Sequence, residues 1–226
     1  MTDIFHEVEK DLRKEQADRL WRRFGPYVLL VAVLIVAATA AWRGWLYWRE
    51  QQAAASGDRF VAALLLAEQG KHDEAQKSLQ DIAATGTGGY PILAQFRAAA
   101  GLAEAGKIED AVKAFDVIAA NGGTPPLLKE MARLRAAMLL VDSVDLPAMK
   151  ARIDDLAAVG GPWRNAAREL LGLSAWKGGD IEAARGYFTA IADDPTAPQS
   201  SKGRANLMLE LIRSKAGGPP EAPAGT

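Results

Sequence analysis

The chain has 226 residues, 27 Lys and Arg against 28 Asp and Glu, a net charge of −1, and no cysteine. Near-neutrality does not suggest nucleic-acid binding, which would need a basic face. The lack of cysteine excludes thiolate metal sites, thiol nucleophiles and redox pairs, and it agrees with an oxidising compartment managed without disulfides.

Residues 1–25 form a polar head. Ile4, Val8 and Leu12 recur at i, i+4 and i+8 with Phe5 beside them, and Leu20, Trp21 and Phe24 resume the apolar content. This spacing predicts an amphipathic helix. Gly25-Pro26 is expected to break that helix where the next element begins. Two roles stay open for the head: a flank lying in a membrane interface, or a docking helix for a cytosolic partner.

Residues 26–48 are the second element. No charge interrupts YVLLVAVLIVAATAAW, from Tyr27 to Trp42, and Trp45, Leu46, Tyr47 and Trp48 follow it. Counted through Trp48 the run is roughly 33 Å long at helical rise, enough for the apolar slab of a bilayer. Arg43 can snorkel to head groups, while Trp21 and Tyr27 at one end and Trp42, Trp45, Tyr47 and Trp48 at the other make an aromatic belt. A cleaved export signal competes with this reading, because Ala38-Thr39-Ala40 has small-x-small spacing. The leader ahead of the run is too long and too acidic for that, and Arg22-Arg23 sits in surroundings that fit a twin-arginine signal poorly. The run is apolar on every side, which argues against the core helix of a soluble protein. Lys10, Arg13, Lys14, Arg19, Arg22 and Arg23 precede the span, whereas only Arg43, Arg49 and Arg59 lie within a like distance beyond it. By the positive-inside rule the head stays in the cytoplasm and the body is exported.

Residues 49–215 repeat themselves. Four stretches align: KHDEAQKSLQDIAA after Gly70, KIEDAVKAFDVIAA after Gly106, DLPAMKARIDDLAA after Val144 and DIEAARGYFTAIAD after Gly179, their leading residues 36, 38 and 35 positions apart. Within each, a small or flexible residue (Ala75, Ala111, Met149, Ala184) is followed four positions on by Leu79, Phe115, Ile153 or Phe188, and three further by Ile82, Ile118, Leu156 or Ile191. Those offsets lie on one helical face. A second amphipathic helix precedes each stretch: Phe60–Glu68, Pro91–Ala105, Pro126–Leu140 and Trp163–Lys177. A helix–turn–helix of about 34 residues is the period of a tetratricopeptide array, so the expected fold is all-α, a single transmembrane helix followed by an α-solenoid of tetratricopeptide-like hairpins. The third unit has lost its turn glycine and carries Pro147 in a first helical turn, where proline is tolerated; none has the tryptophan of the full motif. A last helix, Gln199–Lys215, is expected to cap the stack with Leu207, Leu211 and Ile212. The tail, residues 216–226, has no core-forming side chains and is expected to be disordered.

Little in the chain points to chemistry. His72-Asp73-Glu74 opens a second helix, where acids meet the macrodipole, and Glu109-Asp110 recurs at the same place. Asp193-Asp194 runs into a turn signal. No phosphate loop, nucleophile elbow or paired metal ligands are present. The expectation is therefore no enzyme, no cofactor, no metal and no small-molecule substrate.

A head opening MTDIFHEVEKDL, RRFGPY leading into a single span, WRGWLYW behind it and a tetratricopeptide-like body together resemble the ancillary Sec-translocon subunit family of bacterial inner membranes. The resemblance covers nearly the whole chain. It implies a single-pass inner-membrane protein with a cytoplasmic N-terminus, whose periplasmic domain associates with the Sec translocon and a membrane-anchored periplasmic prolyl isomerase chaperone to help exported clients. It carries no catalytic residues. The alternative from the same architecture is an envelope or cell-division scaffold that is not linked to the translocon.

The mechanism expected is binding, on a concave surface lined by first helices. Candidate partner-binding residues are Gln95, Arg97, Arg133, Arg135, Arg164 and Arg168. Their basic character would favour acidic partner segments, and reversing the charge of Arg133 and Arg135 together is the natural probe of that.

Overall fold

The computed structural model describes residues 3–215, with side-chain surroundings from Pro26 onward apart from Val28. The described residues are all-helical: α1 (Asp3–Glu68), α2 (His72–Thr85), α3 (Tyr90–Glu104), α4 (Ile108–Ala120), α5 (Pro126–Leu140), α6 (Leu146–Ile153) with a 3-10 turn Asp154–Ala157 behind it, α7 (Arg164–Gly178), α8 (Ile181–Ala192) and α9 (Gln199–Lys215). The chain divides into two compact units, residues 1–55 and 56–226.

In the first unit, α1 does not break at Gly25-Pro26. It runs through Pro26 as helix. A proline lacks one donor and so removes one intrahelical bond. Where the helix turns no face to a folded neighbour, nothing else demands a change of direction. The apolar face of the head (Ile4, Val8, Leu12) lies outside the residues whose side chains are described, as does the tail. From Leu29 to Val36 the apolar side chains are exposed, and none of the most apolar window of this helix is buried inside the protein. A core helix of a soluble protein would be covered. Among the described residues this is the one helix long and apolar enough to cross a membrane. Thr39 Oγ1 donates to the Ile35 carbonyl at 2.7 Å, so the threonine hydroxyl inside the run is satisfied by its own helix. Past the run, the Trp42 and Trp45 rings lie 5.4 Å apart, and the Arg49 guanidinium sits 4.9 Å from the Trp45 ring centre.

In the second unit the repeat pattern is realised as hairpins. The end of α1 pairs with α2, α3 with α4, α5 with α6 and α7 with α8, and α9 packs on α8. All four second-helix trios of the sequence pattern are buried: Ala75, Leu79 and Ile82; Ala111, Phe115 and Ile118; Met149, Ile153 and Leu156; Ala184, Phe188 and Ile191. In three of the trios a small alanine (Ala75, Ala111 or Ala184) lets the paired helix approach, Met149 taking that place in the third, and the larger two fill the groove toward the next pair. Gly70, Gly106 and Gly179 turn three of the hairpins with φ of 77°, 76° and 81°. That left-handed geometry is nearly free for glycine and strained for other residues.

The third unit departs as its sequence foretells. Pro147 sits in the first turn of α6, behind Asp145, whose carboxylate caps the helix by accepting from the Ala148 amide at 3.0 Å. The helix lasts eight residues before tightening into the 3-10 turn.

The last helix keeps its predicted bounds and buries Ile212 as expected, but Leu207 and Leu211 do not join it. Ala205 and Ile212 are buried, and Met208 and Leu209 pack partly on the same cluster, whereas Leu207 and Leu211 are exposed. The spacing of Leu207 and Leu211 marks an amphipathic helix without saying which stripe meets α8. The close approach belongs to the small Ala205, as it does to Ala75, Ala111 and Ala184 in three of the earlier trios.

Candidate protein-binding surface

The repeat assigns each first-helix side chain a position counted back from the start of its second helix at His72, Ile108, Leu146 or Ile181. Thirteen residues back stand Arg59, Gln95, Arg133 and Arg168; eleven back stand Val61, Arg97, Arg135 and Leu170. Two positions along a helix is 200°, so the two sets look in nearly opposite directions.

The set thirteen back braces the hairpin. Arg59 binds Asp81. Arg133 holds Asp155 through both terminal nitrogens, at 2.8 and 2.6 Å, and also donates to the Arg152 carbonyl at the end of α6. Arg168 donates to two carbonyls, Ala157 and Ala190, at 3.2 Å each, and so links the ends of successive second helices. Asp81, Asp155 and Ala190 are one repeat position near a helix C-terminus, where unsatisfied carbonyls and the macrodipole both favour a cation. Gln95 holds the same place in its hairpin, where the matching second-helix residue is Val117. Arg164, at the start of α7, belongs to the bracing too: it grips Asp194 at 2.7 and 3.2 Å, donates to the Gly161 carbonyl at 3.1 Å and reaches Thr196.

The Arg133 guanidinium holds the Asp155 carboxyl below the usual carboxylate range. Arg164, and after it the Thr196 hydroxyl and amide, hold Asp194 well below it. A depressed carboxylate stabilises the fold at pH above the unfolded-state value near ~3.9, and the contribution is lost as pH falls through the folded value. Asp194→Asn is therefore expected to melt below wild type at pH 7, with the gap beginning to narrow only below about pH 4 and shrinking further as pH falls toward the folded value; circular-dichroism melts from about pH 2 to pH 7 check it.

Three of the set eleven back, Arg97, Arg135 and Leu170, line two shallow apolar depressions on the first-helix side. One, of about 290 Å³, lies between α3 and α5, lined by Leu93, Phe96, Arg97 and Ala100 from α3, Met131 and Arg135 from α5, and Phe115 beneath. The other, of about 440 Å³, lies between α5 and α7. Leu134, Met138 and Val141 line it from α5, and Ala166, Glu169, Leu170 and Leu173 from α7, with Arg204 of α9 at the rim. The depressions share α5 as their common wall, and Met138 on it is about half exposed. Methionine side chains re-pack easily against varied partners.

Charge is sparse on this face. Arg97 is tied along its own helix to Glu104 at 2.9 and 3.1 Å. Arg204 and Glu169 form a two-pronged pair at 2.6 and 2.7 Å. Arg135 is exposed, and among the described residues no hydrogen bond or ion pair engages its guanidinium.

The six sequence candidates thus divide. Arg97 and Arg135 line a groove, Arg133, Arg164 and Arg168 brace the stack, and Gln95 sits at a bracing position. Reversing Arg133 and Arg135 together would mix a broken brace with a changed groove. The apolar liners Leu93, Met131, Leu134, Met138 and Leu173 were absent from the sequence candidates; their signal is recurrence at their own repeat positions, Leu93 and Met131 fifteen back and Met138 and Leu173 eight back, with Leu134 beside Arg135.

A tetratricopeptide repeat-like domain model matches residues 19–207, from ahead of the apolar run into α9. No curated protein and no solved structure matches the chain. The match covers most of the chain and coincides with the buried trios of the hairpins, so the chain belongs to the tetratricopeptide repeat-like domain family.

Proposed function

We propose that this protein is a single-pass membrane-anchored scaffold that binds polypeptide segments on its first-helix face and serves the Sec translocon, working beside a periplasmic prolyl isomerase chaperone on newly exported proteins. The observation that carries the binding part is the pair of apolar depressions flanking α5, on a domain whose family mediates protein–protein contact. The anchor reading rests on the exposed apolar run with its aromatic flank. Orientation, head in the cytoplasm and repeats in the periplasm, rests on the basic residues gathered ahead of the span. The translocon and chaperone assignment rests on the resemblance of the head and the span to the ancillary Sec-subunit family.

Affinity purification of the full chain from mild detergent tests the reading. Co-elution of Sec channel subunits and the prolyl isomerase is expected. Recovery of cell-division or envelope-assembly proteins in their place would move the assignment to a scaffold with no translocon link.

A further inference from the structure

We infer that the outer side of α9 is a docking surface for a second copy of this chain, the two α9 helices pairing antiparallel about Leu207. At about 100° per residue, Ser200, Gly203, Leu207, Leu211 and Ser214 fall on one side of α9, about 150° from the Ala205 and Ile212 side that packs on α8. Leu207 and Leu211 are 62% and 53% exposed, and a Cβ added at Gly203 would meet nothing within 4 Å. Gly203 followed four positions on by Leu207 repeats the small-then-large step with which Ala111–Phe115 and Ala184–Phe188 pack helix on helix. The last described helix therefore presents a packing stripe where a capping helix presents a polar face.

The stripe fits its own copy. Leu207 stands midway between Gln199 and Lys215, so antiparallel pairing sets Leu207 beside Leu207 and Gly203 beside Leu211 of the second copy, small against large. Its charge is balanced: Arg204 and Glu210 flank it on opposite edges, and Arg204 is already held by Glu169, so two copies meet without like charges in the seam. Lys202 and Arg213 lie off the stripe, and Lys215 sits over the Trp176 ring at 4.5 Å. Residues 216–226, AGGPPEAPAGT, hold no large apolar side chain to enter the space beside Gly203. One pair of 17-residue helices, about 25 Å long, reaches at most the lower limit of a stable soluble interface, ~1,200 Å². Two copies held in one membrane have a raised effective concentration, which makes so small a seam sufficient; this step rests on the anchor reading of α1.

The chain has no cysteine, so a single introduced thiol reports its own neighbours. Full-length Leu207→Cys in native membranes, oxidised with copper phenanthroline, is expected to give about tenfold more disulfide-linked dimer than Val117→Cys, an exposed site on α4. Co-expressed Gly203→Cys and Leu211→Cys chains should crosslink to each other about tenfold more than either does to itself. Antiparallel pairing puts position 203 beside 211 and holds like positions about 12 Å apart, beyond disulfide reach. Adding Leu207→Glu to both of those chains should remove the crosslink and leave the melting temperature unchanged, since the side chain is exposed. A Leu207→Cys dimer no stronger than that of Val117→Cys, crosslinking of Gly203→Cys chiefly to itself, or an intact crosslink with Leu207→Glu would each overturn the inference. So would a rise in dimer on removing residues 216–226, which would make the chain's own tail the occupant, or a Leu207→Cys adduct to a different protein in place of the dimer. Absent crosslinks with Sec co-elution intact sink this inference alone. Crosslinks without that co-elution sink the translocon assignment and leave the pairing standing.

Discussion

Phe188→Ala should destabilise the repeat domain by about 4 kcal/mol, enough to lower its melting temperature by about 10 °C. Phe188 is 1% exposed and sits in a cluster with Ala175, Ala184, Ile191, Ala205 and Ile212, so it joins α7, α8 and α9 at once. Its ring also occupies the space above Gly172, where an added Cβ would lie 2.9 Å from Cε2 and Cζ. The opposite change is therefore informative. Gly172→Ala gains helix propensity, worth about 1 kcal/mol, but forces the buried ring to move, which costs about 1–3 kcal/mol. Combining Gly172→Ala with Phe188→Leu should destabilise less than the sum of the single changes, because the smaller side chain makes room for the new methyl. Strict additivity would mean that the two side chains do not share this space. Val117→Ala, on an exposed position of α4, is the control and should change stability by less than about 0.5 kcal/mol.

That packing was legible in the sequence because hairpin cores are set by local periodicity. Offsets of four and three on a helix fix one face whatever the tertiary context, so Ala184, Phe188 and Ile191 announce themselves together. The groove was less legible. Arg133 and Arg135 stand two residues apart on α5, and composition cannot say which braces and which is free. The answer lies in the distance to the start of α6, since the residue thirteen back meets the end of a second helix and the residue eleven back does not. The same blindness explains α9. In α9, the last described helix, two apolar stripes compete for the inner face, and Ala205 with Ile212 wins over Leu207 with Leu211 because close approach needs the small residue. Gly25-Pro26 misled for a different reason: a helix break is decided by what the chain must pack against, and α1 continues through it.

Placing lysine at Leu34 and Ile35 together should move the protein from the membrane pellet to the soluble fraction on alkaline carbonate extraction. Each lysine at the centre of a span costs about 2.5–3.5 kcal/mol for insertion, and each lost Leu or Ile forfeits a further few tenths, about 6 kcal/mol for the pair. The run from Leu29 to Val36 supplies only about 3–4 kcal/mol on the same scale, so the double substitution reverses the sign of the insertion free energy. Leu34 and Ile35 are exposed and cover no part of the repeat cores, so the hairpins should keep their helical content and melting temperature in the variant. Lysine at Ala54, past the aromatic residues, should change nothing, because charge near a membrane interface is tolerated. Release of the variant with intact repeats would tie membrane residence to the apolar run itself. Continued pelleting would mean that the repeats or a bound partner hold the protein there, and the anchor would then have to be sought in the first-helix grooves rather than in α1.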